Sequence, residues 1–401
     1  MDVKLKNNVQ NYGNLRVFSK VVVAWKPVSF MFMLFGIYVN GGGNCKNKFD
    51  RFKMFFLKLY KLFWDVILVY FLSAMIFSGF VEDKMFFIHV ADILFVNLLR
   101  YLMSCKITIL KINMEKMDAF ITQPRGDNRT LSILVKLFCM LTVINTTFNI
   151  SRIVSQPKIV LNMQTISTFG FFNQDNIPAQ YSVTNISLKL ISASFNVIFF
   201  TFPPLVAVTL FLVFFQINNL MKSYLKRLQN LFQEDHVQNK LVIFLVNLTK
   251  MVAFVKNVND LLSPITFVMT AFWTTGIFYN LSKLMYANSF RDNSSFASAS
   301  CNCFNYTTQF LIFVILSSEI PILIAEMKSV IIQGSVCQNS LFNDERKSAS
   351  INLILQKMES FREDVTVTGL GVFKLERRII LASLGAAISY ELLLVQLMER
   401  E

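Results

Sequence analysis

Seven runs of apolar residues, each near the length that crosses a bilayer, constrain the fold of this chain more than any other feature. Hydrophobic residues make up 54% of the 401 residues and charged residues only 16%, which is unlike a soluble domain. A spanning segment must satisfy its own backbone hydrogen bonds, so the runs predict helices. We therefore expect an all-α, polytopic membrane protein built as a single domain, 1–401. The predicted spans are 57–80, 86–105, 131–155, 188–216, 261–283, 306–332 and 372–397.

The segment 21–39 is also apolar, but Lys26 and Pro27 interrupt it. We expect an interfacial or re-entrant helix there, within a cytoplasmic N-terminal segment covering 1–56. An eighth span is the alternative.

Basic residues fall in alternate loops, which predicts the orientation of the chain. The loops before the first, third, fifth and seventh predicted spans hold most of the Lys and Arg, whereas the others hold only Lys84, Lys158, Arg291 and Arg400. The positive-inside rule then places the N-terminus in the cytoplasm and the C-terminus outside. The net charge of +14 is spread over these loops, so we expect no nucleic-acid partner. Three sequons in loops predicted to be external are candidate glycosylation sites: Asn185, Asn293 and Asn305.

Two inner segments, 217–260 and 333–371, carry apolar residues at helical spacing, as in Leu220, Tyr224 and Leu228. This pattern predicts that the later spans continue as helices beyond the bilayer and pack into a cytoplasmic anchor. Amphipathic helices lying on the inner leaflet are the alternative.

Signals for an enzyme or a metal site are poor. The two histidines, His89 and His236, are far apart and predicted on opposite sides of the membrane, and Cys301 and Cys303 form only an isolated CxC. We expect no enzymatic activity, no metal and no cofactor.

The last predicted span, 372–397, has one small or polar face. At 100° per residue, one stripe collects Arg378, Ala382, Gly385, Ser389, Leu393 and Gln396. Lipid-facing surfaces have no use for Gly, Ser and Gln, so the stripe is expected to face protein or water. Two readings stay open: packing within one chain, or an ion path lined by several copies with Leu392 or Leu393 as a hydrophobic constriction.

The stretch "TGLGVFKLERRIILASLGAAISYELLLVQL" resembles the C-terminal signature of insect gustatory receptors. In that signature a Gly-x-Phe helix start leads to Thr-Tyr, five apolar residues and Gln-Phe. The matching residues here are Gly371, Phe373, Ser389, Tyr390, Gln396 and Leu397. Glu391, inside the normally apolar five, departs from the pattern.

The resemblance implies a tastant-gated, non-selective cation channel, acting as a homotetramer or together with other gustatory receptors. The last helix would line the pore, permeant cations would pass through it, and membrane lipid would surround it. The implied location is the plasma membrane, in dendrites of gustatory receptor neurons. The small-molecule tastant would bind within the bundle 57–332, and a bitter or other apolar plant compound is favoured.

Within that bundle, polar and aromatic side chains in the outer halves of the predicted spans are candidate ligand contacts. Asp92 and Trp273 are favoured, because a carboxylate in a membrane is costly and an indole offers a stacking face. Glu319 is a candidate for coupling the pocket to the pore. The full set is His89, Asp92, Asn145, Asn149, Asn196, Phe199, Trp273, Thr274, Tyr279, Gln309 and Phe313.

Three other classes compete with the gustatory reading. A G-protein-coupled receptor would need an external N-terminus, and a transporter should show matching broken spans in two halves. The odorant-receptor channels, which are related to the gustatory receptors, differ here mainly in the pattern from Ser389 to Leu397.

Overall fold

The computed structural model describes residues 20–37, 48–77, 86–117, 183–232, 237–285, 293–337 and 345–383, together with residues 140, 147, 385, 386 and 389. These residues form helices joined to one small hairpin. The helices are α1 (Lys20–Leu34), α2 (Lys48–Phe77), α3 (Phe86–Met117), α4 (Val183–Leu231), α5 (Val237–Met285), α6 (Asn293–Cys337) and α7 (Glu345–Val365). The strands are β1 (Thr368–Gly369) and β2 (Phe373–Lys374), and the chain is again helical from 378 to 383.

Four stretches in the described residues are long and apolar enough to cross a membrane: Val90–Met114, Val197–Leu231, Lys240–Met285 and Phe296–Gly334. They lie in α3, α4, α5 and α6. The chain is thus an all-helical, multi-pass membrane protein, while the count of seven spans and the side of each terminus remain predictions. The third predicted span, 131–155, lies outside the described residues except for 140 and 147.

Helices α4 and α5 are far longer than the spans predicted for them, at 49 residues each. A helix of this length extends over about 74 Å, more than twice the hydrocarbon core of a bilayer. Their extra turns are packed, since Leu220 and Leu228 of α4 are buried, as are Leu248 and Met251 of α5. The residues between the predicted spans thus continue α4 and α5; that this part is cytoplasmic remains a prediction.

Helix α1 packs into the bundle, and its interfacial or re-entrant position in the membrane stays a prediction. The rings of Phe32 and Phe35 meet the ring of Phe202 at 6.0 and 5.8 Å, edge to face. Phe202 is fully buried in the middle of the predicted fourth span. With 15 residues, α1 covers about 22 Å and is too short to cross a bilayer alone.

A buried arginine fastens α1 and α2 to α3. Arg100 donates through Nη2 to the carbonyl oxygens of Phe35 at 3.2 Å and Lys61 at 3.0 Å, and it forms an ion pair with Asp65. Arg100 is 2% exposed. Its guanidinium fork suits several acceptors held at fixed angles, which a lysine could not match.

The hairpin β1–β2 joins α7 to the last helix and lies against α5. Its tight turn needs positive φ angles at Leu370 (51°) and Gly371 (72°), a conformation that favours glycine. Ser263 of α5 accepts a hydrogen bond from the Leu370 N–H at 2.7 Å, and Asn259 of α5 donates to the Val365 carbonyl at 2.9 Å. These contacts fix the segment that precedes the last helix.

Candidate functional site

Trp273, a favoured ligand contact, is a packed core residue in the structure. Its ring is stacked with Phe211 at 6.5 Å and touches Phe310 and Phe313 at 6.4 and 5.3 Å. The side chain is 0% exposed. The indole is therefore fully enclosed, with Phe211 stacked on one face, and it offers no exposed face to a ligand in this arrangement.

The polar edge of this cluster is a chain of three side chains. The Trp273 indole donates to Gln309 Oε1 at 3.0 Å, and Gln309 Nε2 donates to Asn305 Oδ1 at 3.0 Å. Gln309 therefore serves as the hydrogen-bond partner of a buried indole. Asn305 lies twelve residues inside α6, because this helix begins at Asn293 and extends beyond the predicted span. Its external position stays a prediction.

Asp92, the other favoured residue, remains a candidate ligand contact. The residue is 7% exposed, and its Oδ1 is buried without a hydrogen-bond partner among the described residues. Tyr306 of α6 lies close enough to interact electrostatically with Asp92 and with Tyr279. Lys283 places its ammonium 4.0 Å from the centre of the Tyr279 ring. A carboxylate and a second phenol thus lie within electrostatic range of the Tyr306 hydroxyl.

Gly276 of α5 determines how closely α5 and α6 approach near this cluster. A Cβ at this position would stand 2.9 Å from ring carbons of Tyr306. Asn280, buried one turn later, donates to the Gly276 carbonyl at 2.7 Å. The absence of a side chain at 276 lets the Tyr306 ring pack flat against the backbone of α5.

A small cavity lies where α5 and α6 meet the last helix. Its volume is about 20 Å³, room for about one water molecule and too little for an organic ligand. Thr274, a predicted ligand contact, therefore sits at the contact with the last helix. The lining residues are Thr274, Ile277, Phe278, Thr307, Phe310, Leu311 and Ser383.

The last helix has a packed arc and an exposed arc. Ile379, Ile380 and Ser383 are half-buried against the chain. The exposed arc contains the described members of the predicted pore stripe: Arg378, Ala382, Gly385 and Ser389. An added Cβ at Gly385 would meet nothing within 4 Å, so packing within the single chain does not require glycine there.

The remaining predicted ligand contacts are packing residues or lie beyond the described part. Phe199 is half-buried and meets Phe200 edge to face at 5.3 Å, and Phe313 is fully buried against Trp273 and Phe214. Asn145, Asn149, Tyr390, Leu392, Leu393, Gln396 and Leu397 lie outside the described residues, and His89, Asn185, Asn196 and Asn293 are described only as helical.

Glu319, the predicted coupling residue, ties α6 to α4. It pairs with Lys222 at 2.7 Å, and Asn218 donates to it at 3.1 Å and to the Leu316 carbonyl at 2.8 Å. Pro321 follows in α6. These bonds reinforce the helix near a residue that cannot donate a backbone hydrogen bond.

Sequence reasoning missed Arg100, Asn280 and Gln216. Gln216 of α4 is 5% exposed, and neither of its amide atoms has a hydrogen-bond partner among the described residues. A charged or amide residue inside an apolar run was the available signal, and it was not used for these three positions. No group of three or more His, Cys, Asp or Glu suited to a metal occurs in the described ranges.

The fold defines a multi-pass, all-helical membrane protein. No protein-family model and no curated protein sequence matches the chain. Among solved structures, it is similar to the insect olfactory receptor OR5 from Machilis hrabei, with a TM-score of 0.67 and 12% identity over 93% of this chain and 97% of that one. The same receptor in complex with eugenol has a TM-score of 0.57 and 11% identity, over 95% and 99% of the two chains.

At this low identity the likeness concerns the fold alone. It extends over nearly the whole of both chains, so the helices and their order are shared rather than one motif. It agrees better with the odorant-receptor-like alternative than with the gustatory reading.

Proposed function

We propose that this chain is a subunit of a chemoreceptor channel of the insect odorant-receptor kind, opened by a small organic molecule and permeable to cations. One observation carries the proposal: the small residues Ala382, Gly385 and Ser389 are exposed along one arc of the last helix. Neither lipid nor the chain's own packing calls for small residues there. Small residues are expected there if neighbouring copies of the last helix surround a water-filled axis.

The proposed assembly is a homotetramer with the last helix of each subunit at the centre. Ile379, Ile380 and Ser383 hold this helix against its own subunit, which leaves the opposite arc available to the pore. Leu392, Leu393 and Gln396 would continue the lining toward the outer end. A hydrophobic ring at Leu392 or Leu393 would close the path when it loses water.

The proposed ligand site is the junction of α3, α5 and α6 around Asp92, Tyr279 and Tyr306. Buried aromatic and polar groups in a helix bundle are typical of small-molecule sites. A compact aromatic plant compound, of the size class of the eugenol bound to the neighbouring receptor, fits this chemistry. The ligand must bind the open arrangement better than the closed one. A difference of roughly a few kcal/mol in binding free energy is enough to shift the population.

A taste receptor is the second candidate, and the pattern from Ser389 to Leu397 favours it. The two candidates share a channel mechanism and differ in the ligand: a tastant, bitter or otherwise apolar, rather than an odorant. Plasma-membrane location in chemosensory dendrites, three glycosylation sites and partnership with other receptors belong to the same proposal.

The test is current from purified protein in a planar bilayer, which contains no G-protein. Panels of volatile and of non-volatile plant compounds are applied separately. Ligand-evoked cation current supports the channel, and the panel that evokes it decides between odorant and tastant. Electrically silent, strictly monomeric protein contradicts the proposal.

Labelling of an epitope at each end of the chain in intact cells tests the orientation. A cytosolic C-terminal tag would contradict the proposed pore, because the last helix would then not run outward from the hairpin.

A further inference from the structure

Four charged residues lie in the five positions that lead from β2 into the last helix: Lys374, Glu376, Arg377 and Arg378. Lys374 and Arg377 are exposed. The side chain of Arg378 is 82% exposed and pairs with Glu376, with 2.5 Å between Nη2 and Oε2. The only acidic group of this segment is therefore bound to one of its three basic groups.

The other two basic groups have no such counterion. Lys374 and Arg377 form no ion pair with any residue in the described part of the chain. With three basic residues and one acidic residue, the segment carries a net charge of +2 in each chain. These charges directly precede the exposed arc of Ala382, Gly385 and Ser389.

We propose that this segment forms a positively charged ring at the inner mouth of the pore, and that Glu376 sets its strength by neutralising Arg378. The inference rests on the proposed function, because it needs four copies around one axis. It assigns Glu376 a role in ion permeation.

Such a ring lowers the local concentration of cations at the inner mouth, since grouped charges of one sign create potentials of several kT. The outward current draws its cations from this mouth, so it is reduced more than the inward current. Divalent cations are excluded more strongly than monovalent ones because their electrostatic energy is doubled. The channel is therefore expected to rectify inwardly.

Salt gives this effect a distinctive signature. The screening length falls from about 10 Å at 0.1 M salt to about 3 Å at 1 M. The exposed charges of Lys374, Arg377 and Arg378 then stop acting on ions at the axis. Rectification caused by the ring disappears at high salt, whereas rectification caused by the shape of the pore remains.

The experiment measures single-channel current in both directions for Glu376→Gln and Arg378→Gln in about 0.1 M and about 1 M salt. At the lower salt concentration, Glu376→Gln is expected to reduce the outward current about two-fold or more relative to the inward current, and Arg378→Gln to raise it by a similar factor. At the higher concentration both differences should largely vanish.

The double variant Glu376→Gln/Arg378→Gln tests most directly whether net charge sets the rectification. It keeps the net charge of the wild type, because one acidic and one basic group are removed together, so its rectification should return to the wild-type value. Arg377→Gln is a second single variant, exposed and without an ion pair, so folding is not at risk. Glu363→Gln, on exposed α7, makes the same charge change as Glu376→Gln and serves as the matched control.

Rectification that is the same in wild type, Glu376→Gln, Arg377→Gln and Arg378→Gln at low salt overturns the inference. Ligand-evoked current that persists in that case leaves the proposed channel standing. A wild-type chain without any current overturns both.

Discussion

The indole N–H of Trp273 donates to Oε1 of Gln309 at 3.0 Å, across the contact between α5 and α6. Trp273→Phe removes the donor but keeps most of the ring volume. We expect a loss of about 1–3 kcal/mol in stability, because a buried acceptor is left unpaired, and little change in the ligand concentration for half-maximal current. Thermal melting in detergent and dose–response curves measure the two effects.

Gln309→Met is the matched variant for this bond. It removes the acceptor from the same pair, so the double variant should cost little more than either single one. A large rightward shift of the dose–response curve with unchanged melting would instead assign Trp273 to the ligand.

The stability of the protein is expected to depend strongly on the shape of the head group at position 100. Arg100→Lys keeps the charge but cannot reach the carbonyls of Phe35 and Lys61 together. We expect a loss of about 1–3 kcal/mol, since a buried carbonyl is left without a donor. Melting temperature and surface expression provide the readout.

Asp65→Asn is the control for this prediction. The Asp65 side chain is 45% exposed, whereas that of Arg100 is 3% exposed, and in this variant the guanidinium keeps its carbonyl partners. Its cost should be smaller than that of Arg100→Lys. The reverse order would show that the ion pair, rather than the carbonyl bonds, fastens α1 to the bundle.

A substitution at Gly385 tests conduction separately from folding. A Cβ added at this position would meet no atom of the described residues within 4 Å, so Gly385→Leu should leave the melting temperature unchanged. If the arc lines a pore, four leucines narrow it, and unitary conductance should fall about ten-fold or more.

Ala386→Leu is the comparison for Gly385→Leu, because Ala386 is also exposed and lies about 100° further around the helix. Its effect on conductance should be weaker. Equal conductance in Gly385→Leu and wild type would remove this arc from the pore.

Glu359 of α7 makes the contact between α6 and α7 sensitive to acid. The hydrogen bond from Lys328, at 2.7 Å, together with its charge, lowers the pKa of Glu359 below its usual range. The stability that this pairing contributes is present above the ordinary carboxyl pKa and is lost as the pH falls through the lowered one. Amide exchange in α7 should therefore rise below about pH 4.

Glu359→Gln should remove this acid-dependent part of the exchange and leave the remainder. Glu363→Gln, also on the exposed side of α7, should keep it. The effect is small because the pair is exposed, and an identical pH profile in wild type and Glu359→Gln would contradict the prediction.

The long helices were predictable because their signal is local and repeated. Apolar runs mark α4, α5 and α6, and spacing such as Leu220, Tyr224 and Leu228 carries α4 past its predicted span. The end points were less accurate: α6 begins at Asn293 because the polar turns before 306 still satisfy their backbone bonds as helix.

Long-range pairs could not be predicted in this way. Arg100 binds a carbonyl 65 positions away, and no spacing rule connects the two. Trp273 was expected to face a ligand because its type suits stacking, but Phe211, Phe310 and Phe313 already cover it. The hairpin at Gly371 was missed since two-residue strands leave no alternating pattern.

The docking of the hairpin on α5 has a mechanical consequence. Asn259 and Ser263 lie directly before Pro264, where α5 lacks a backbone donor, and a helix bends most readily at such a point. Any bending of α5 at Pro264 therefore occurs next to the hairpin, which also precedes the last helix. We therefore expect the start of the last helix to keep its position while its later turns tilt. In an assembly of several copies, the distance between spin labels at 374 should then stay constant, while the distance between labels at 386 should change.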